Sequence, residues 1–284
     1  MTQKIETEKF YQEKVNQAID YIHSNILEDI SIGKIAEECS LSKYHFHRIF
    51  KAYTNESPGQ YIKRTRIERA ARLMNNPNLS IEEIGYMVGY NVPSSFTKAF
   101  NQIYGISPTK YRNSKQIKIT MNITENDKLN ISYEIKTLPA CKLAYTRAKG
   151  WYSEINYNKI IPKLYKTAIL HFSIPLRYPP MSIYINDPNT TEKENLLTDV
   201  AIFVSKEFKG KNDVNCRKFD GGKFLSATYI GPYSALSQAY DCVYKHLTQQ
   251  GLIVRDAPPM EMYWSDPNKT PQDEQKTEIL IPIE

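Results

Sequence analysis

The sequence predicts a multidomain α and α+β chain. An all-α N-terminal part carries two helix-turn-helix motifs. A C-terminal part carries a duplicated β-α-β-β unit, forming an antiparallel sheet with helices on one face. Three observations predict this. Residues 31–62 and 80–112 share one pattern: a short amphipathic helix, a turn, a second helix rich in aromatics, then Ser-Pro opening another helix. Residues 179–189 recur as 258–268, and the offset of 79 persists without gaps to Asp199 against Glu278. The 284 residues are long enough for two domains with ample core.

Charge follows the same division. The chain has net charge +6. Residues 40–115 hold 12 Lys/Arg against 4 Asp/Glu, and residues 116–284 hold 21 against 19. A basic excess confined to the paired helices suits a phosphate-binding surface. The four cysteines, Cys39, Cys141, Cys216 and Cys242, have no metal-ligand spacing and read as reduced core thiols. Neither a metal nor a cofactor is expected. No apolar run approaches 18 residues and no signal segment opens the chain, so a cytoplasmic protein with no membrane partner is expected.

The elements follow in order. Val15, Ile19 and Ile22 carry the helical period over about residues 11–25. Ser31 caps the next helix, whose apolar face is Ile32, Ile35 and Ala36. After the turn at residues 40–42, the helix 43–53 buries Phe46, Ile49 and Phe50. That leaves Tyr44, His47, Arg48 and Lys51 outward, side-chain types that reach base edges and phosphates. Pro58 opens a helix to about residue 75, expected to leave Lys63, Arg64, Arg66, Arg69 and Arg72 to solvent or phosphate. Ser80 and Glu83 make a capping box, and Gly89 ends that helix. Pro93 opens the second reading helix, with Phe96, Ala99, Phe100 and Ile103 packed and Ser94, Ser95, Thr97, Lys98 and Asn101 available to DNA. Ser107-Pro108 starts a last short helix through Arg112.

Residues 9–115 resemble the AraC/XylS family of DNA-binding domains. Ile84, Gly89-Tyr90, Phe96, Phe100, Gly105, Ser107-Pro108 and Tyr111 sit where that signature expects them, and Pro93 stands where a polar residue is common. The resemblance implies a seven-helix unit that binds double-stranded promoter DNA, with RNA polymerase as a partner. Tyr44, His47, Arg48, Ser94, Ser95 and Lys98 are its base-facing candidates.

Residues 116–129 are polar and lightly patterned, so a linker is expected there, dividing domains 1–115 and 130–284. Strands are expected at 131–137, 181–185, 199–204, 224–229, 260–264 and 278–283, with helices at 157–172 and 233–250. Along 260–265, Met260, Met262 and Trp264 alternate with Glu261, Tyr263 and Ser265. The Met/Met/Trp face is expected against the helices, placing Glu261 and Tyr263 in an open groove on the other face. Tyr184 is the repeat mate of Tyr263, whereas the mate of Glu261 is Ser182. A carboxylate present in one copy only is suited to a ligand rather than to the scaffold.

Gly231-Pro232-Tyr233, Pro259-Met260-Glu261-Met262-Tyr263, Asp266-Pro267 and Thr277-Glu278-Ile279 resemble the GyrI-like effector-binding domain. The resemblance implies an aromatic pocket with a central Glu, here Glu261, taking small lipophilic, often cationic molecules. Tyr263, Tyr184, Trp151, Tyr152 and Tyr233 are its other candidates. The expected function is a sequence-specific transcription regulator, an activator, without enzymatic activity or catalytic residues. The alternative is a small-molecule hydrolase or a drug-sequestering module.

Overall fold

The computed structural model describes residues 2–121, 129–210 and 213–284. Two compact units emerge. The first comprises Met1–Lys110 with two short later segments, Lys149–Trp151 and Asn186–Leu196; the second holds the rest.

Seven helices open the chain: α1 Thr2–Ser24, α2 Ile32–Glu38, α3 Lys43–Thr54, α4 Pro58–Leu73, α5 Ile81–Met87, α6 Pro93–Tyr104 and α7 Pro108–Met121. Serines define most of their starts, though α6 follows Val92 with no side-chain cap. Ser31, Ser42, Ser57 and Ser80 each accept a bond from the backbone N–H three residues on. Each such cap contributes about 1 kcal/mol by satisfying an otherwise orphaned donor. The capping box at Ser80 and Glu83 forms, and a second joins Ser57 to Gln60. Two helices run beyond expectation: α1 begins at Thr2, and α7 continues to Met121 through the first part of the polar stretch. The remainder of that stretch, 122–128, lies outside the described residues.

Helix α4 spans about 24 Å and is covered on nearly every side. Tyr61, Ile67, Ala70, Ala71 and Leu73 are core residues. Its cations are the main departure from expectation. Arg64 is buried and ion-paired with Glu56 at 2.5 Å and Glu68 at 2.7 Å. Arg66 donates to the carbonyls of Ile26 and Glu28. Lys63, Arg69 and Arg72 are only partly exposed. Both helix-turn-helix motifs pack on this one helix, so an amphipathic periodicity cannot leave a free basic face. The segment Asn186–Leu196 belongs to the same unit: the Tyr104 hydroxyl donates to Asp187 at 2.7 Å, and the Thr190 hydroxyl donates to Glu68.

The second unit is an eight-stranded sheet with helices α8 Tyr157–Leu170 and α9 Leu236–Gln249 on one face. The strands are β1 Asn130–Leu138, β2 Cys141–Lys149, β3 Met181–Tyr184, β4 Leu197–Val204, β5 Asn215–Phe219, β6 Gly222–Ile230, β7 Met260–Tyr263 and β8 Lys276–Ile283. Their order is β1-β6-β8-β7-β3-β4-β2-β5. The order is symmetric about the β3–β7 pair, where Ser182 sits opposite Glu261. β2 and β5 were not expected. β2, ending at Lys149, is the true repeat mate of β6, ending at Ile230. β1 and β5 are exchanged, each completing the other half by pairing with β6 and β2.

Helix α8 packs Leu164 and Ala168 on Ala144, Val200, Ile202 and Val204. Helix α9 packs Ala239, Val243 and Leu247 on Leu225, Ala227, Ile279 and Ile281. The opposite face is also buried, by Met181, Ile183, Met260, Met262, Phe203 and Phe224. Within it, Arg147 holds Asp199 at 2.7 Å with both side chains fully buried. The same face carries Glu278, which accepts bonds from Ser226, Lys136 and the Trp264 indole N–H. The four cysteines are free thiols; Cys39 alone is fully buried, and burial pushes its pKa up to about 11. Among the described residues no helix is long and apolar enough to cross a membrane.

Candidate functional site

Two separate sets of side chains carry the chemistry. On α3, Phe46 and Phe50 are buried while Tyr44, His47, Arg48 and Lys51 project outward. Tyr44 is 75% exposed, and the Arg48 guanidinium lies over its ring at 5.9 Å. On α6, Phe96, Ala99 and Phe100 are buried and Ser94, Ser95 and Lys98 are exposed. The two helices therefore present two exposed rows of polar side chains. Gly89 makes the second motif possible. It sits at φ +86° after α5, and a Cβ there would meet the Arg66 guanidinium at 3.0 Å.

The other set surrounds Glu261, which is 3% exposed in the middle of the sheet. The Tyr263 hydroxyl donates to its Oε2 at 3.0 Å. The Tyr184 hydroxyl lies 3.4 Å from that of Tyr263. The Tyr263 ring meets Tyr157 at 5.7 Å and Tyr233 at 6.1 Å, edge to face. Tyr152 meets Tyr184 in the same way at 4.8 Å. Tyr240 of α9 is directed at the carboxylate without closing a well-formed hydrogen bond.

Electrostatics follows from this geometry. Burial raises the Glu261 pKa above the ordinary carboxylate value, and the hydroxyls of Tyr184, Tyr240 and Tyr263 partly oppose that rise. Burial and then the Glu261 charge hold those three tyrosines well above their usual pKa, so they remain protonated donors. Among the described residues no cation pairs with Glu261.

The face carrying this cluster is the reverse of the one expected. Glu261 and Tyr263 share the helix face, and Met260 and Met262 point away from α8 and α9. The period-2 alternation is as read, but both faces are buried, so apolarity could not assign the helices. The two helices pack on the flanking strands. The central β3–β7 pair lies between the strands those helices cover, and Tyr157 of α8 and Tyr240 of α9 reach toward Tyr263 and Glu261 there.

Of the six effector candidates, Glu261, Tyr263, Tyr184, Tyr152 and Tyr233 come together. Trp151 has its ring covered by Lys193 at 4.6 Å within the first unit. Tyr157 and Tyr240 were missed. The available signal was positional: both are aromatics beside the buried stripes of amphipathic helices, where leucine or alanine would serve packing alone.

Residues 131–284 match the GyrI-like small-molecule-binding domain, and residues 35–114 match a helix-turn-helix domain. The transcriptional activator AarP of Providencia stuartii is 30% identical over 104 residues, covering 37% of this chain and 77% of AarP. The chain is an AraC-type helix-turn-helix protein with a GyrI-like domain. The Msm operon regulatory protein of Streptococcus mutans is 38% identical over 102 residues, covering 36% of this chain and 37% of that protein. A solved AraC-type regulator from Chromobacterium violaceum is 28% identical, covering 36% of this chain and 92% of that one, with TM-score 0.35. The chain spans between 31% and 37% of the length of the first curated relatives it matches. The Glu261 cluster lies wholly within the matched GyrI-like span, and α3 and α6 lie within the helix-turn-helix span.

Proposed function

We propose that this AraC-type, GyrI-like protein is a cytoplasmic transcription activator that binds promoter DNA through α3 and α6, works with RNA polymerase, and responds to a lipophilic cation held at Glu261. One observation carries the ligand class: a buried carboxylate, ringed by tyrosines, with no protein counter-charge among the described residues. A delocalised cation is cheaper to desolvate than a compact ammonium. It gains both a charge partner and aromatic faces. Tyr44, His47, Arg48, Lys51, Ser94, Ser95 and Lys98 are the proposed DNA contacts, because they are exposed polar side chains on the two reading helices at the positions the family resemblance singles out or beside them.

A hydrolytic role would require a second group able to take a proton beside Glu261. Its neighbours are tyrosines held protonated, so binding without turnover is the reading the site favours. The test is a titration of the full-length chain with tetraphenylphosphonium and with a neutral phosphine oxide of similar shape, followed by intrinsic fluorescence. Glu261→Gln keeps the shape and removes the charge. The cation is expected to lose about 1–3 kcal/mol of affinity, the scale of a charge-assisted contact. The neutral molecule should bind almost unchanged. Equal losses for both would remove the cation-binding role, and turnover of a strained electrophile such as an epoxide would restore the hydrolase.

A further inference from the structure

The internal repeat supplies its own control for one surface feature. Helices α8 and α9 are both 14 residues long and lie 79 residues apart, so their ends correspond position by position. Both end in the same backbone. Phe172 N–H bonds to the Ile169 carbonyl and Ser173 N–H to that of Ala168; Gly251 and Leu252 repeat this with Thr248 and Leu247. The residue after the cap is left-handed in both, at φ +53° for Phe172 and +62° for Gly251. The second copy uses the residue this conformation favours. The first carries a β-carbon and an aromatic ring there, a strained choice.

The flanking positions differ in the same direction. Ile169 is 62% exposed, Leu170 66%, Phe172 82% and Ile174 69%. The mates of the first three are Thr248, Gln249 and Gly251. One backbone therefore ends in polar residues in one copy and in an exposed apolar patch in the other. The fold does not require apolar residues at these three positions, since the second copy dispenses with them; Ile174 alone keeps an apolar mate, Ile253.

Cations border it. Lys166 lies one turn earlier on the exposed side of α8. Lys206 is fixed against the patch by Ser173, whose hydroxyl donates to its carbonyl at 2.5 Å and accepts from its N–H at 3.2 Å. His171 stacks on Phe208 at 5.0 Å, which brings the exposed Lys209 alongside. The nearby acid Glu207 is already held by Lys142. We propose that the Ile169–Leu170–Phe172–Ile174 patch docks an acidic amphipathic segment of a partner protein. A second copy of this chain would meet it through the same face and set like charges against each other. A patch of fixed relief around one aromatic anchor also suits the apolar side of a helix.

The test uses the full-length chain and a fluorescent synthetic helix of about 18 residues, with Leu on one face and Glu elsewhere. A second peptide has Lys in place of Glu. Fluorescence anisotropy should show the Glu peptide binding at least tenfold tighter than the Lys peptide. The triple variant Ile169→Thr, Leu170→Gln, Phe172→Gly takes the residues of the second copy. It should unfold no earlier than wild type and bind the Glu peptide at least tenfold more weakly. Lys166→Glu with Lys206→Glu should weaken the Glu peptide by a similar factor and favour the Lys peptide. Absent or unchanged binding in these comparisons would overturn the proposal. So would a wild-type dimer that the triple variant abolishes, or binding to phosphatidylglycerol vesicles in place of the peptide; these would assign the patch to self-association or to lipid.

Discussion

Glu261 shows how one residue links the energetics of the fold to those of the site. Its pKa is raised by burial, so in the ligand-free chain the folded state holds the proton to higher pH than the unfolded state. Below about pH 4.3 both states are protonated and Glu261 contributes nothing. As pH rises through and above that value, the unfolded chain ionises first. Stability then falls until the folded carboxyl ionises too. Glu261→Gln should remove that fall in a pH series of thermal melts. A bound cation requires the ionised form, so its affinity should rise over the same interval and level above the folded pKa. Affinity independent of pH would separate Glu261 from the ligand. Two glycines give a second comparison. Gly89→Ala meets both a positive φ and the Arg66 guanidinium, whereas Gly105→Ala at φ +72° meets no heavy atom within 4 Å. The first should destabilise by about 2–3 kcal/mol and the second by about 1 kcal/mol; equal melts would discount the Arg66 contact.

At the scale of the element, α3 and β4 illustrate opposite uses of charge. On α3 the cations are outside, and Arg48→Ala should cost about 1–3 kcal/mol at the cognate site and far less on random DNA if it reads a base edge. Competition binding against both DNAs checks this. Equal losses would reassign Arg48 to the phosphate backbone. On β4 the charge is inside. Asp199 accepts two bonds from the buried Arg147, at 2.7 and 2.9 Å, and pairs with Arg217 at 2.9 Å. Asp199→Ala leaves a buried guanidinium without its carboxylate and should cost about 3–5 kcal/mol. That should appear as a large drop in melting temperature, whereas Lys218→Ala, in an exposed pair with Asp220, should leave it unchanged.

For the whole molecule, the concentration of positive charge in residues 40–115 should make DNA binding strongly salt-dependent. Contact with about six phosphates gives a log–log slope near −5. A flat salt dependence would deny the phosphate contacts. Much of this was legible beforehand. The reading helices, the serine caps at Ser31 and Ser80, Gly89 and the repeat that singles out Glu261 all follow from simple rules: helical period, cap chemistry, the conformation only glycine adopts easily, and alternation along a strand. Other features were not legible. The cations of α4 have the periodicity of a surface stripe, yet Arg64 is buried because Glu56 and Glu68 meet it there. β2 was hidden because the strand most visible in the first half, β1, is lent to the second.

The sequence by itself determined the elements, the duplication and the residue chemistry, because each depends on neighbours a few positions away or on a copy at fixed offset. Only the tertiary structure decided which sheet face receives α8 and α9. Both faces of β7 are buried, one by Met260 and Met262 and the other around Glu261, and the choice rests on helix stripes that pack on β4, β6 and β8. That packing, rather than any local signal, brings Tyr157 and Tyr240 to the Glu261–Tyr263 cluster.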